Sequence, residues 1–272
     1  MKAIDLTKYQ GIIPAFYACY DDAGEVSPER VRAFTEYLIG KKVTGVYVGG
    51  SSGECIYQSV AERKAVLEAV IEQAAGRITV IAHVACNNTR DSMELAAHAE
   101  SAGADCIAAI PPIYFHLPDR AVAKYWSDIA SAAPNTDFII YNIPQLAGTG
   151  LNSSLLRTML SVPNVIGVKN SSMPIQDIEM WRDEGAIVFN GPDEQLLSGL
   201  AAGAVGQMEV YRRDGCDAVR AHALGMGSKL HAVARVVAGD VRDDRDAPCG
   251  LGNDGLKHGF ALGHGLIDAL AG

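Results

Sequence analysis

The sequence predicts an α/β fold, an eight-stranded (β/α)8 or TIM barrel, from three observations. Short apolar, β-rich runs recur at 11–19, 45–50, 79–85, 106–111, 138–143, 165–169 and 186–189, with a weaker one at 202–206. These runs lack strict polar alternation, as expected of parallel strands covered on both faces. Stretches of helical period separate them, and seven or eight such units in 272 residues suit one barrel. The rival doubly wound sheet usually carries G-x-G-x-x-G after its first strand. Here that loop reads Cys19-Tyr20-Asp21-Asp22-Ala23-Gly24-Glu25, which has no such pattern.

The helices follow in order from their start signals. Ser27 precedes Pro28, a cap followed by proline at the first helical position; Val31, Phe34 and Leu38 mark one face and Gly40 supplies the stop. Ser59 and Glu62 form a capping box ahead of Val66, Leu67 and Val70. Segments 153–160 and 174–181 repeat the theme. In such a barrel the chemistry lies where strands end and loops begin.

Composition narrows the function. Apolar residues make up 49% of the chain, enough for a substantial core. With 23 basic against 32 acidic residues the net charge is −9, which excludes the footprint of a general nucleic-acid binder. The apolar run 11–19 is short and broken by Pro14, so neither a membrane span nor a signal peptide is expected. Cys19, Cys55, Cys86, Cys106, Cys216 and Cys249 are scattered, which reads as reduced thiols of a cytoplasmic protein.

Four strand ends carry candidate chemistry. Gly49-Gly50-Ser51-Ser52-Gly53-Glu54 is either a flexible turn or a nest of N–H and hydroxyl groups for a carboxylate or phosphate. Tyr141, before Asn142-Ile143-Pro144, is either rim packing or a proton relay. Lys169 ends the sixth run, and period-two geometry puts Val165, Gly167 and Lys169 on one face. Facing inward, with Gly167 leaving room beneath it, the amine would lose hydration, its pKa would fall, and it would become an imine-forming nucleophile; facing outward, it would merely snorkel. Asp193 and Glu194 suit a helix cap or sugar hydroxyls, and no nearby His or Cys supports a metal. His83, His98 and His116 are isolated and read as structural. An anion nest, a phenol and an amine converging on one cavity describe a Schiff-base enzyme for a 2-keto acid.

The motifs GGSSGE (49–54), YNIP (141–144), GVKNSS (167–172) and FNGPDE (189–194) resemble those of the N-acetylneuraminate lyase and dihydrodipicolinate synthase family over about residues 8–206. The resemblance implies a class I aldolase in which Lys169 forms the imine with pyruvate and Tyr141 shuttles the proton. It implies that Ser51 and Ser52, with Gly50, hold the pyruvate carboxylate. Tyr114, catalytic in this reading, matches the tyrosine of an aromatic loop near subunit contacts. Ser171, Gly191, Asp193 and Glu194 match positions that bind the sugar. Leu146 stands where dihydrodipicolinate synthases carry an arginine, which favours the lyase subgroup and cleavage of N-acetylneuraminate to N-acetylmannosamine and pyruvate. No metal or organic cofactor is implied, and a homotetramer is. The alternatives are dihydrodipicolinate synthase or another 2-keto sugar acid aldolase, and an inactive chain that binds a keto acid or sugar.

The resemblance stops after Gly206. The family continues with a glycine-rich eighth strand and long helices, whereas 207–272 holds 11 glycines, one glutamate (Glu209) and two lysines (Lys229 and Lys257). That composition specifies helices poorly and suggests a shifted reading frame. The expected organisation is therefore a barrel over 1–206 with a doubtful eighth strand, then an atypical tail over 207–272. An open edge would impair stability and assembly.

Overall fold

A computed structural model describes residues 5–208. In chain order the elements are β1 (Gly11–Ile12), α1 (Pro28–Gly40), β2 (Gly45–Val48), α2 (Val60–Ala74), β3 (Thr79–His83), α3 (Thr89–Ala102), β4 (Cys106–Ala109), α4 (Asp119–Ala132), β5 (Asp137–Asn142), α5 (Pro144–Ala147), α6 (Ser153–Leu160), β6 (Val165–Asn170), α7 (Gln176–Asp183), β7 (Ile187–Asn190), α8 (Leu196–Ala201) and β8 (Gly206–Gln207). All eight strands are parallel, in the order β1-β8-β7-β6-β5-β4-β3-β2. A single bridge between Ala15 and Tyr47 brings the chain after β1 against β2 and completes the circuit. The fold is the predicted (β/α)8 barrel.

Two strands differ from expectation. The first run was expected to extend over 11–19, but ladder pairing ends at Ile12. Pro14 has no N–H to donate, and its carbonyl instead accepts from Tyr47 N at 2.9 Å. The eighth strand, expected to be doubtful, is present as two residues that pair with both neighbours: Gly206 with Gly11 and Phe189, and Gln207 with Ile12 and Asn190. Gly206 is needed there because a side chain would meet the carbonyls of Gly11 and Tyr9 at 2.7 and 2.9 Å. The strand crosses the expected boundary at 206. Of the expected tail only Gln207 and Met208 are described; the remainder lies outside the described residues.

Helix starts follow the sequence signals. Ser59 Oγ accepts from Glu62 N at 3.2 Å while Glu62 Oε2 accepts from Ser59 N at 2.7 Å, the anticipated capping box. Gly40 is the last residue of α1, and the left-handed turn after it falls on Lys42 at φ 61° rather than on the glycine. The helix expected over 174–181 begins two residues later, at Gln176.

Side chains split into two layers across the strands. Tyr9, Ile13, Tyr47, Ile81, Cys106, Ala108, Ile139, Tyr141, Ile166, Ile187, Phe189 and Met208 form an inner cluster. Leu156, Val168, Ile178, Trp181 and Val188 pack with their neighbours in an outer one between sheet and helices. Tyr9, fully buried, donates its hydroxyl to Asp137 Oδ2 at 2.8 Å at the start of β5, on the barrel's N-terminal side. No helix among the described residues is long and apolar enough to cross a membrane.

Candidate active site

Lys169 lies at the C-terminal end of β6, paired in register with Tyr141 on β5 and Phe189 on β7. It is 1% exposed. Its Nζ sits over two aromatic faces, 3.9 Å from the ring centre of Tyr141 and 4.3 Å from that of Tyr47. Ring quadrupoles there stabilise a cation in place of water. The lysine therefore faces the interior. The expected alternation through Val165 and Gly167 does not hold, however: the register between β5 and β6 shifts between Phe138 and Ile139, and Ile166 joins the inner cluster. Gly167 is required for a different reason from the one expected. A Cβ there would collide with the backbone carbonyl of Ile187, so the glycine allows β6 to approach β7.

Tyr141 is 1% exposed, and its hydroxyl accepts from Ser171 Oγ at 3.4 Å. Ser171 N in turn donates to the Asn142 carbonyl at 2.8 Å, so the serine is set by the strand end beside the phenol. Gly191 packs against Ser171 closely enough that any side chain would overlap the serine hydroxyl. Asn142, Asn170, Asn190 and Gln207 occupy one register row across β5 to β8. Asn142 Nδ2 donates to Asn170 Oδ1 at 3.0 Å, and Asn190 Nδ2 donates to Gln207 Oε1 at 2.7 Å. These two buried amide pairs join β5 to β6 and β7 to β8 along the rim from which Lys169 and Ser171 project.

On the other side of Lys169, the turn after β2 begins at Gly49, whose φ of 70° suits glycine. Gly50 has no room for a side chain because Tyr47 Cε1 would lie 2.8 Å away. Tyr47 thus touches the glycine turn with one edge and lies beneath the Lys169 amine. Gly53 N and Glu54 N close turns onto the Gly50 and Ser51 carbonyls at 3.1 and 3.0 Å. Ser52 Oγ is buried with no partner among the described residues, an open position for an anionic ligand. Ser51 is exposed beside it.

His83, at the end of β3, holds this turn through Nδ1–H donated to the Gly49 carbonyl at 2.9 Å. Its ring meets those of Tyr47 and Tyr141 at 5.9 and 6.3 Å. Arg63, buried on α2, donates to the carbonyls of Ala85 at 2.9 Å and His83 at 2.6 Å. Burial, then the Arg63 charge, push the His83 pKa down to about 3. The sign follows: below the ordinary value of about 6.5 the unfolded chain takes up a proton that the folded chain refuses, so stability is lost as pH falls from 6.5 towards 3. Urea unfolding is expected to show about 2 kcal/mol less stability at pH 5 than at pH 7 from this group. His83→Gln should flatten that difference; a variant with the same pH dependence would assign it elsewhere.

Of the other expected site residues, Asp193 follows β7 and accepts from Gln207 Nε2 at 2.8 Å, while Glu194 is exposed. Tyr114 stands apart from Lys169. It is 85% exposed on the loop after β4, at φ 90°, with its ring edge-on to Phe115 at 4.9 Å. Tyr47, His83, the asparagine row and Gln207 were not among the residues expected from the sequence. Only the period-two position of Tyr47, two residues before Gly49, pointed inward.

Comparison with known proteins shows the family. Residues 8–213 match the Dihydrodipicolinate synthetase family. An N-acetylneuraminate lyase of Mediterraneibacter gnavus is 64% identical over 205 residues, covering 74% of this chain and 65% of that protein. The match therefore spans just under two thirds of that relative's length. An N-acetylneuraminate lyase of Salmonella typhimurium is 36% identical over 199 residues, covering 72% of this chain and 67% of that protein. Among solved structures, wild-type sialic acid aldolase of Ruminococcus gnavus superposes with a TM-score of 0.78 at 56% identity, covering 85% of this chain and 78% of the other. The family match over most of the chain and the relative at 36% identity covered to two thirds agree, and the chain belongs to the dihydrodipicolinate synthetase family.

Proposed function

We propose that this protein is a Schiff-base aldolase of the lyase class that cleaves N-acetylneuraminate to N-acetylmannosamine and pyruvate. The observation that carries the reading is the Lys169 amine, buried at a strand end against two tyrosine faces. The relatives at 64% and 36% identity, both named N-acetylneuraminate lyase, support the substrate.

The groups fit a balanced cycle. Lys169 Nζ adds to the C2 ketone, and Tyr141 gives its proton to the departing hydroxyl, releasing water and leaving an iminium. The Tyr141 oxygen then takes the C4 hydroxyl proton as the C3–C4 bond breaks, the bonding electrons pass to the iminium, and the aldehyde sugar forms. Tyr141 returns that proton to C3 of the enamine. Water adds to the iminium, surrenders a proton to Tyr141, and the adduct collapses to pyruvate and the free amine. Ser51, Ser52 and Gly50 hold the carboxylate, Ser171 keeps the Tyr141 hydroxyl in place, and Gly191, Asp193 and Glu194 face the sugar hydroxyls.

A second reading is an aldolase for a different 2-keto sugar acid, because Asp193 is already engaged by a glutamine amide. Pyruvate release from N-acetylneuraminate is expected to exceed that from 2-keto-3-deoxygluconate by at least about tenfold in kcat/KM. The reverse preference would overturn the substrate assignment, and no covalent adduct on borohydride treatment with pyruvate would leave a binding protein. The exposed Tyr114–Phe115 pair supports a homo-oligomer, a tetramer by the family resemblance, in which Tyr114 adds to a site. Thiols at Cys55, Cys86 and Cys106 that form no disulfide support the cytoplasm.

A further inference from the structure

We propose that Arg63 is a specificity-determining positioning residue: its buried charge makes the turn over 49–54 select a carboxylate over a neutral group of the same shape. The proposal rests on the reading that Ser51, Ser52 and Gly50 hold the carboxylate of the keto acid. Arg63 is 5% exposed and stands in the first turn of α2. Nη1 donates to the Ala85 carbonyl at 2.9 Å and to Cys86 Sγ at 3.1 Å, and Nη2 donates to the His83 carbonyl at 2.6 Å. Nε is buried with no partner among the described residues. A Cβ on Gly49 would lie 3.9 Å from both Nε and Nη2, so the guanidinium rests against the start of the turn. In the same turn Ser52 Oγ is likewise buried and unpartnered.

Neither the helix nor the core gains from a cation here. The first turn of a helix is the positive end of its dipole, where a cation is unfavourable. Burying a guanidinium costs more still unless an anion accompanies it. The partners of Arg63 are neutral carbonyls and a thiol, and no ion pair joins it to a carboxylate of the described residues. Glu62, the adjacent acid, is turned to Ser59, whose N and Oγ donate to its Oε2 at 2.7 and 2.6 Å. His83, which holds the Gly49 carbonyl, is kept neutral by burial and by Arg63 itself. The α2 dipole and the Arg63 charge therefore add at the glycine turn. An arriving carboxylate supplies the counter-charge that the described chain does not, whereas a neutral amide of the same shape does not.

The test compares pyruvate with pyruvamide, its neutral isostere, on the full chain, by calorimetric binding and by borohydride trapping. The parent is expected to bind pyruvate at least about tenfold more tightly than pyruvamide. Arg63→Met, similar in length and uncharged, should weaken pyruvate by about tenfold and leave pyruvamide within about threefold, so that the preference disappears. Arg63→Lys keeps the charge but cannot fork between two carbonyls, and it should retain most of the preference. A merely structural Arg63 gives a different pattern: both ligands weaken together, and Arg63→Lys loses as much as Arg63→Met. That pattern overturns the proposal, as does a parent without preference or a preference that survives Arg63→Met. Should Arg63→Met fail to fold, the ratio in Arg63→Lys decides. Ser52→Ala separates the proposal from the reading beneath it. Pyruvate binding unchanged in Ser52→Ala, with the preference lost in Arg63→Met, would reject the serine and leave the charge. A parent that prefers pyruvate, loses the preference in Arg63→Met and yet forms no trapped adduct would refute the Schiff-base reading and leave the role of Arg63 standing.

Discussion

Lys169→Ala is expected to abolish the borohydride-trapped pyruvate adduct and to lower kcat/KM by more than about 10⁴-fold, equivalent to about 5.5 kcal/mol of barrel-derived transition-state stabilisation. The size follows from what replaces the amine. Among the described residues the remaining lysines, Lys8, Lys41, Lys42, Lys64 and Lys124, lie outside the strands, several of them paired with surface carboxylates. None can take over the addition to a ketone. Truncation also removes the group that fills the space over Tyr141 and Tyr47, so the variant tests chemistry only if its fold is intact; unchanged far-ultraviolet circular dichroism and cooperative unfolding provide that control. Mass spectrometry of the trapped protein gives the answer directly. An adduct persisting in Lys169→Ala, or activity above about a hundredth of the parent, would remove the lysine from the mechanism.

Tyr141→Phe separates the imine from the bond-breaking step. The ring stays in place over the amine and against Tyr47, whose centre lies 5.9 Å away at 79°, so packing is preserved. What is lost is one oxygen, within reach of Ser171 Oγ. General acid–base catalysis at one group is worth roughly 10²–10⁴-fold, and kcat should fall by that amount. Pyruvate adduct should still accumulate, more slowly, because carbinolamine dehydration loses its proton donor while the amine remains. A variant that retains kcat would exclude the Tyr141 oxygen from proton transfer, and one that never forms adduct would reassign it to imine formation.

Much of this arrangement was legible in the sequence, for identifiable reasons. Lys169 and Tyr141 were readable because each lies near the end of a short apolar run, and a strand fixes where its closing residues stand. The Ser59 and Glu62 box was readable because capping is local chemistry within four residues. Gly167 was noticed for the wrong cause: the glycine relieves a clash with Ile187 on the neighbouring strand β7, and such a close approach is a property of two strands together. Tyr47 was passed over, and His83 was read only as an isolated structural residue, because their placement depends on rings from three strands meeting inside the barrel. Tyr114 was grouped with the catalytic pair on motif alone, whereas within one chain its loop carries it into solvent. Gln207 escaped notice because it marks where the family pattern ends, and a residue at such a break has no motif to lend it meaning.

The pairing of β1 with β8 bears on how the polypeptide is made. The first strand finds one of its two partners only at the far end of the described chain, and that partner is two residues long. While synthesis proceeds, Gly11 and Ile12 must wait at the edge of a growing sheet until Gln207 has emerged from the ribosome. Contacts this distant in sequence make folding slow. The nascent protein therefore spends most of its translation with an incomplete ring, and a pause or early termination just ahead of Gly206 would release a product that cannot close.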